Sequence, residues 1–224
     1  MNLKSKIFAL AILLFLSAAS SVHATDINLE IKGLRSFVLN GKVGQTELKF
    51  VSSAPLEEII GYADNETAKS TFSLDPSNLE NSTGKISFPV TSLETGIKKR
   101  NGHLQSEAWL DAAKYPDITF ELKEFRNVKV KGIDKPAGRA TVEALAVGVY
   151  SMHGKSKSIS VPVTLIYIKE SENTKKRASG DLVSIEGSFQ ILLKDFEVIG
   201  MGGVVGSKVG ESINISFKVY YSSK

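Results

Sequence analysis

Apolar and polar side chains alternate at every second position through most of the chain. Ile86, Phe88 and Val90 alternate with Lys85, Ser87 and Pro89, and Ile118, Phe120 and Leu122 with Thr119 and Glu121. Ile159, Val161, Val163, Leu165 and Tyr167 share one side opposite Ser158, Ser160 and Thr164. Ile213, Ile215, Phe217 and Val219 repeat the pattern against Asn214, Ser216 and Lys218. A period of two marks strands with one buried and one wet face. Residues 26–32, 47–52, 69–74, 139–152 and 182–193 are further predicted strands. Turn-rich pieces at 78–84, 132–138 and 171–180 join them, and His153-Gly154-Lys155 predicts a tight hairpin turn. Only two stretches read as helical. Residues 56–63 follow a Pro suited to a first turn, and residues 106–113 start at a Ser cap and carry Glu107 near the positive end of the dipole. Trp109 and Ala113 would then fall four apart on one face.

Long alternating strands with few helices pack as two sheets or close into a barrel. Strands as long as 139–152 suit a strongly bent sheet or barrel. A barrel of about eight strands is either filled by its own side chains or holds one small ligand, and periodicity does not choose between these. Phe88, Phe120, Val163, Leu165, Phe189, Ile191, Ile215 and Phe217 are expected to share one interior. Phe50, Leu104 and Trp109 are expected where a helix and its loop cover a mouth. Neither an internal repeat nor an interdomain linker interrupts residues 25–224, which read as one domain.

Composition narrows the chemistry. The 224 residues contain no Cys, which removes disulfide scaffolds, cysteine-ligated metals and thiol nucleophiles. Lys4 and Lys6 precede a short apolar run at 7–16, followed by small residues and Val22-His23-Ala24. That is the layout of a secretory signal peptide over residues 1–24, which predicts export to the periplasm. Cleavage after Ala24 takes away two lysines and no acid, so 26 basic side chains face 24 acidic ones. Nucleic-acid binding calls for a dense basic face. Here the basic clusters are short and scattered (Lys98-Lys99-Arg100, Lys155 with Lys157, Lys175-Lys176-Arg177), so no nucleic-acid partner is expected. Such runs usually keep strand ends solvated. A minority reading sets one against anionic headgroups in transient contact with a membrane surface.

Catalytic patterns are weak. His103 and His153 remain after cleavage, neither with a His or carboxylate at helical spacing, so no metal and no catalytic residue is assigned. Residues 200–206 are glycine-rich, but a dinucleotide loop needs a strand before it and a helix after it. A strand follows here, over residues 208–217.

The stretch 95–120, TGIKKRNGHLQSEAWLDAAKYPDITF, resembles the YceI-like family of exported bacterial proteins, whose pattern is Thr-Gly, Arg-Asp-x-His-Leu, a short helix, then Tyr-Pro and a strand. Leu74-Asp75-Pro76 is similar to the family's strand-end turn, and residues 150–157, YSMHGKSK, to its Ile-His-Gly-x-Thr-Lys hairpin. Lys194-Asp195-Phe196 resembles its Arg-x-Asp-Phe-Gly motif, and residues 209–219 its closing strand. Two departures stand out: Asn101 replaces the Asp before His, and Glu197 replaces the Gly after Asp-Phe. The resemblance implies an all-β fold, an eight-stranded antiparallel lipocalin-like barrel with one or two short helices. It implies an apolar cavity that carries a polyisoprenoid or isoprenoid quinone as cargo, with no separate cofactor. His103 would fix a loop, and Arg100, His103 or Asn101 would meet a polar head at the mouth.

Burying one CH₂ contributes about 0.8 kcal/mol, so a five-carbon isoprene unit gives on the order of 4 kcal/mol gross. Association costs roughly 4–15 kcal/mol, so three or four buried units leave useful affinity. The expected function is a non-enzymatic lipid carrier or store. Rival readings are the same barrel carrying fatty acids, fatty amides or lipophilic toxins; a lipid-modifying enzyme using His103; and a filled barrel that binds other envelope proteins. Pairing of two barrels into a homodimer is left open by the sequence.

Overall fold

The computed structural model describes residues 24–224; the expected signal peptide lies outside them except for Ala24. Eleven strands follow in chain order: β1 (Arg35–Leu39), β2 (Glu47–Ser53), β3 (Glu58–Ala63), β4 (Lys69–Leu74), β5 (Thr83–Pro89), β6 (Leu93–Glu94), β7 (Asp117–Asp134), β8 (Arg139–Met152), β9 (Lys155–Ile168), β10 (Leu182–Leu192) and β11 (Ser212–Ser223). The two α-helices are α1 (Lys98–Gln105) and α2 (Glu172–Lys175).

These eleven pieces make eight positions in one closed antiparallel wall. The ring runs β1-β4-β5-β7-β8-β9-β10-β11 and closes where β1 pairs with β11, Phe37 opposite Ser223 and Leu39 opposite Tyr221. Strand β2 takes the same flank of β11 further along, Phe50 opposite Ile215, so β1 and β2 form one wall position broken by a loop. The pairs β3/β4 and β5/β6 are broken in the same way, because β3 pairs with β2 and β6 with β3. The fold is thus the expected eight-stranded antiparallel barrel with few helices. Three broken walls stand beside long, continuous ones such as β8, which pairs with β9 along its whole length. A closed ring satisfies backbone donors and acceptors that an open sheet edge would leave unpaired.

Inward-facing side chains form two layers. Near the end where the ring closes, Ile27, Phe37, Leu74, Val142, Leu165, Tyr167 and Val183 make a filled core. Asp181 seals that end, accepting hydrogen bonds from Tyr167 Oη at 2.5 Å, Arg35 Nη1 at 2.9 Å and the Glu170 backbone N–H at 2.7 Å. Toward the other end, Phe88, Val90, Trp109, Tyr150, Ile191, Phe196 and Ile215 make a second cluster.

Three sequence expectations are corrected. Residues 56–63 are not helical: β3 buries Ile59, Gly61 and Ala63 and exposes Glu58, Ile60 and Tyr62, a period of two. Gly61 lets the Phe50 ring lie on the strand, where a Cβ would come within 2.1 Å of its Cζ. The helix near Trp109 occupies Lys98–Gln105, and Ser106 ends it rather than starting it, donating Oγ–H to His103 O at 2.7 Å. Residues 106–114 continue as turns, so Trp109 and Ala113 share no helical face. Helix α1 has neither an N-terminal side-chain cap nor an apolar stripe; hydrogen bonds that Asn101 accepts from Thr95 hold it in place of intrinsic propensity. Third, residues 26–32 bury Ile27, Leu29 and Ile31 in alternation without pairing as a strand. Asn28 and Glu30 both take φ of 57°, a left-handed conformation, so alternate burial arises in an irregular segment.

Candidate functional site: an apolar cavity under a helical cover

The mouth of the barrel forms where β5 leaves β7 after Pro89. Beyond that point β6 pairs only with β3, and α1 with the turns at 106–114 covers the gap. Leu104, Trp109 and Leu110 from this cover pack with Phe88 and Ile118 from the wall. Beneath them lies a cavity of about 540 Å³, bounded by Ile97, Lys99 and Lys208 at the entrance and by Phe72, Phe125 and Tyr221 at depth.

Of the thirteen side chains expected from sequence, eleven line this cavity: Phe50, Phe88, Arg100, His103, Leu104, Trp109, Phe120, Val163, Phe189, Ile215 and Phe217. Leu165 and Ile191 do not. Both face inward and are buried, but Leu165 lies in the filled layer, opposite Val142 and Ile185. Ile191 is packed into the mouth-side cluster with Leu193 and Phe196. The same alternation therefore produces a filled half and a hollow half, and position along the strand decides which.

Several lining residues were missed: Leu48, Ile59, Ser70, Phe72, Tyr150, Met152 and Tyr221. Tyr150 and Met152 continue the alternation of β8, whose inward positions before them are Ala140, Val142, Ala144, Ala146 and Gly148. Four of those five are Ala or Gly, of which Ala146 lines the cavity while Ala140 and Ala144 pack in the filled layer. At Gly148 a Cβ would lie 2.3 Å from the Glu121 carbonyl oxygen, so this position also keeps β7 and β8 close.

Arg100 and Asn101 at the mouth are engaged with neighbouring polar groups. Arg100 Nη1 donates to Glu57 Oε1 at 2.6 Å and its Nε to Thr95 Oγ1 at 3.1 Å. Asn101 Oδ1 accepts from the Thr95 backbone N–H at 2.9 Å and hydroxyl at 2.7 Å, while its Nδ2 donates to Glu94 Oε2 at 2.6 Å. His103 is exposed on the rim. His153 occupies the β8–β9 turn with φ of 52°, followed by Gly154 at 70°, as a two-residue turn of this kind needs. Its Nδ1 lies 2.9 Å from Phe196 O and its ring meets Tyr115 edge-on at 5.2 Å, so it ties the hairpin to the neighbouring loop. Among the described residues no group of three or more His, Asp or Glu side chains is placed to hold a metal ion.

Burial raises the hydroxyl pKa of two lining tyrosines. Desolvation pushes Tyr150 well above the ordinary tyrosine range, and pushes Tyr221 up to about 12 against a smaller lowering by Ser70. Both remain neutral hydrogen-bonding groups at physiological pH.

The family model for the YceI-like domain matches residues 22–221. The chain belongs to the YceI-like family. Among its YceI-like relatives, the UPF0312 protein of Vibrio campbellii is 24% identical over 200 residues, covering 89% of this chain and 92% of that one. The UPF0312 protein of Pseudomonas syringae pv. syringae is 26% identical over 200 residues, covering 89% and 90%. Solved structures share the barrel. Burkholderia cenocepacia BcnA superposes with a TM-score of 0.59 at 20% identity, covering 78% of this chain and 95% of its own. A polyisoprenoid binding domain from Saccharophagus degradans, implicated in plant cell wall breakdown, gives 0.55 at 15% identity, covering 85% and 99%. At these identities the likeness establishes the barrel fold of this YceI-like chain.

Proposed function

We propose that this chain is an exported lipid-binding protein that holds an isoprenoid chain, a polyisoprenoid or an isoprenoid quinone, in the hollow half of its barrel for transport or storage in the periplasm. The observation that carries the reading is the cavity of about 540 Å³ walled by aromatic and aliphatic side chains. Its volume falls within the roughly 300–1,000 Å³ of small-molecule sites. Family membership and a structural neighbour described as a polyisoprenoid binding domain support it. Phe50, Phe88, Phe120, Phe189 and Phe217 would contact the chain, with Leu104 and Trp109 closing over it. Binding rather than catalysis is favoured by membership of the YceI-like family and by the polyisoprenoid binding domain among its structural neighbours. The signal-like residues 1–24 support export, and Leu56, Ile97, Ile199 and Met201, exposed on segments framing the mouth, would meet a membrane surface during transfer.

Trp109 is the sole tryptophan and lines the cavity, so its emission reports occupancy. Titration with an isoprenoid quinone and with a fatty acid of matched length tests the reading. Saturable one-to-one binding favouring the isoprenoid is expected; preference for the fatty acid moves the cargo to that class, and no binding of either refutes a lipid site.

A further inference from the structure

The Arg100 guanidinium and the Asn101 amide at the mouth already have partners, whereas the Tyr150 hydroxyl has neither an oxygen nor a nitrogen partner. Arg100 is held by Glu57 and Thr95, and Asn101 by Thr95 and Glu94. Of the other lining hydroxyls, Ser52 Oγ accepts the Gly210 N–H at 2.9 Å, and the Ser70 and Tyr221 hydroxyls lie 3.1 Å apart and serve each other. Tyr150 differs. It is 6% exposed, faces inward from β8 onto the cavity, and its hydroxyl meets only the Met152 thioether sulfur, at 3.8 Å. Thioether sulfur is a weak acceptor. The ring is held edge-on by Phe189 and Phe196, each with centroids 5.5 Å away, so the donor is fixed in orientation. A buried donor without an oxygen or nitrogen partner is costly in a folded protein and calls for an occupant.

Resting on the reading of the cavity as a cargo site, we propose that the Tyr150 hydroxyl is the specificity-determining donor for a carbonyl oxygen on the cargo, as on a quinone ring. The head then sits in the mouth-side cluster against Tyr150, and the isoprenoid tail extends toward Phe72, Phe125 and Tyr221 at depth. A quinone carbonyl only accepts hydrogen bonds, which matches a site offering a single donor in apolar surroundings. A pure hydrocarbon of the same length would leave that donor unsatisfied, and the site would discriminate against it.

The test compares the wild-type full mature chain with Tyr150→Phe, which removes one oxygen and keeps the ring packing. The probes are a benzoquinone bearing a three-unit isoprenoid tail and the corresponding isoprenoid hydrocarbon, each competing with a bound apolar dye. Wild type is expected to bind the quinone about 3- to 10-fold more tightly than the hydrocarbon, the range of one net hydrogen bond, and Tyr150→Phe to lose that preference. Infrared difference spectra give a second readout. The carbonyl stretch of bound quinone should be lowered in wild type and return to its apolar-solvent position in the variant. The wild-type shift stands alone if the variant does not fold. An unshifted carbonyl, or a variant that keeps the quinone preference, overturns the proposal while leaving the cavity as a lipid site. Failure of both probes to displace the dye from wild type overturns the proposal together with the lipid reading.

Discussion

Asn101 donates its side-chain N–H to the Glu94 carboxylate at 2.6 Å while its oxygen accepts two hydrogen bonds from Thr95. This contact holds the first turn of α1 against β6 and so sets the cover over the cavity. The family pattern carries Asp at this position, which would keep the Thr95 bonds but place a second carboxylate beside Glu94. In this chain the amide turns a repulsive pair into a donor–acceptor pair, and the residue is buried.

Asn101→Asp should therefore destabilise the fold by about 1–3 kcal/mol at pH 7, through a lost donor and paired like charges. The loss should shrink near pH 4, where one of the two carboxyls holds a proton. Urea unfolding at both pH values checks this; equal losses would remove the electrostatic part of the explanation.

Glu197 occupies a left-handed conformation with φ of 55°, where the family pattern has Gly. A side chain in that region costs roughly 1–2 kcal/mol, offset in part by the smaller backbone entropy lost on folding. Its exposed ion pair with Lys155, at 2.8 Å, adds little. Glu197→Gly should be more stable than Glu197→Ala by about 1 kcal/mol, both having lost the ion pair. Thermal denaturation of the two variants side by side measures the difference.

The filled and hollow halves should respond oppositely to volume changes. Leu165→Ala, in the filled layer, should cost about 2–5 kcal/mol and leave ligand affinity within a few-fold. Ala146→Phe, on the cavity wall, should weaken cargo binding at least about tenfold while the fold persists, because the new ring enters empty space. Melting temperature and ligand titration, measured on both variants, separate the two halves.

Buried tyrosines give the barrel an alkaline limit. The Tyr221 hydroxyl has a pKa of about 12 in the folded chain, against 10 for an ordinary tyrosine. The folded state thus holds its proton longer than the unfolded one, so this stability is complete below pH 10 and is lost as pH rises toward 12. The loss is on the order of 3 kcal/mol. Burial and the Asp181 hydrogen bond also raise Tyr167. Absorbance titration should show tyrosines that ionise only as the protein unfolds, and Tyr221→Phe should flatten the decline above pH 10.

Much of this architecture was legible in alternation. The limits of β8 and β4 fall where the pattern places them, because each presents one apolar face to a single interior. The errors arose where tertiary contacts overrode local signals. At β3 a leading Pro and a short segment suggested a helix, but pairing with β2 and the space left by Gly61 for Phe50 make it a strand. Ser106 resembles a helix start, yet its hydroxyl bonds backward to His103 O. Hollowness was not legible from periodicity: Leu165 and Val163 look alike in sequence, and only the packing of Ile27, Phe37 and Tyr167 fills the barrel beneath one of them.

The central claim is that the hollow half of this barrel holds an isoprenoid lipid. Mass spectrometry of organic extracts, from protein purified without detergent out of its native periplasm, tests it most directly. One isoprenoid or isoprenoid quinone per chain, absent from an Ala146→Phe preparation, is the result expected. An extract that stays empty after incubation of the protein with a quinone mixture would contradict it.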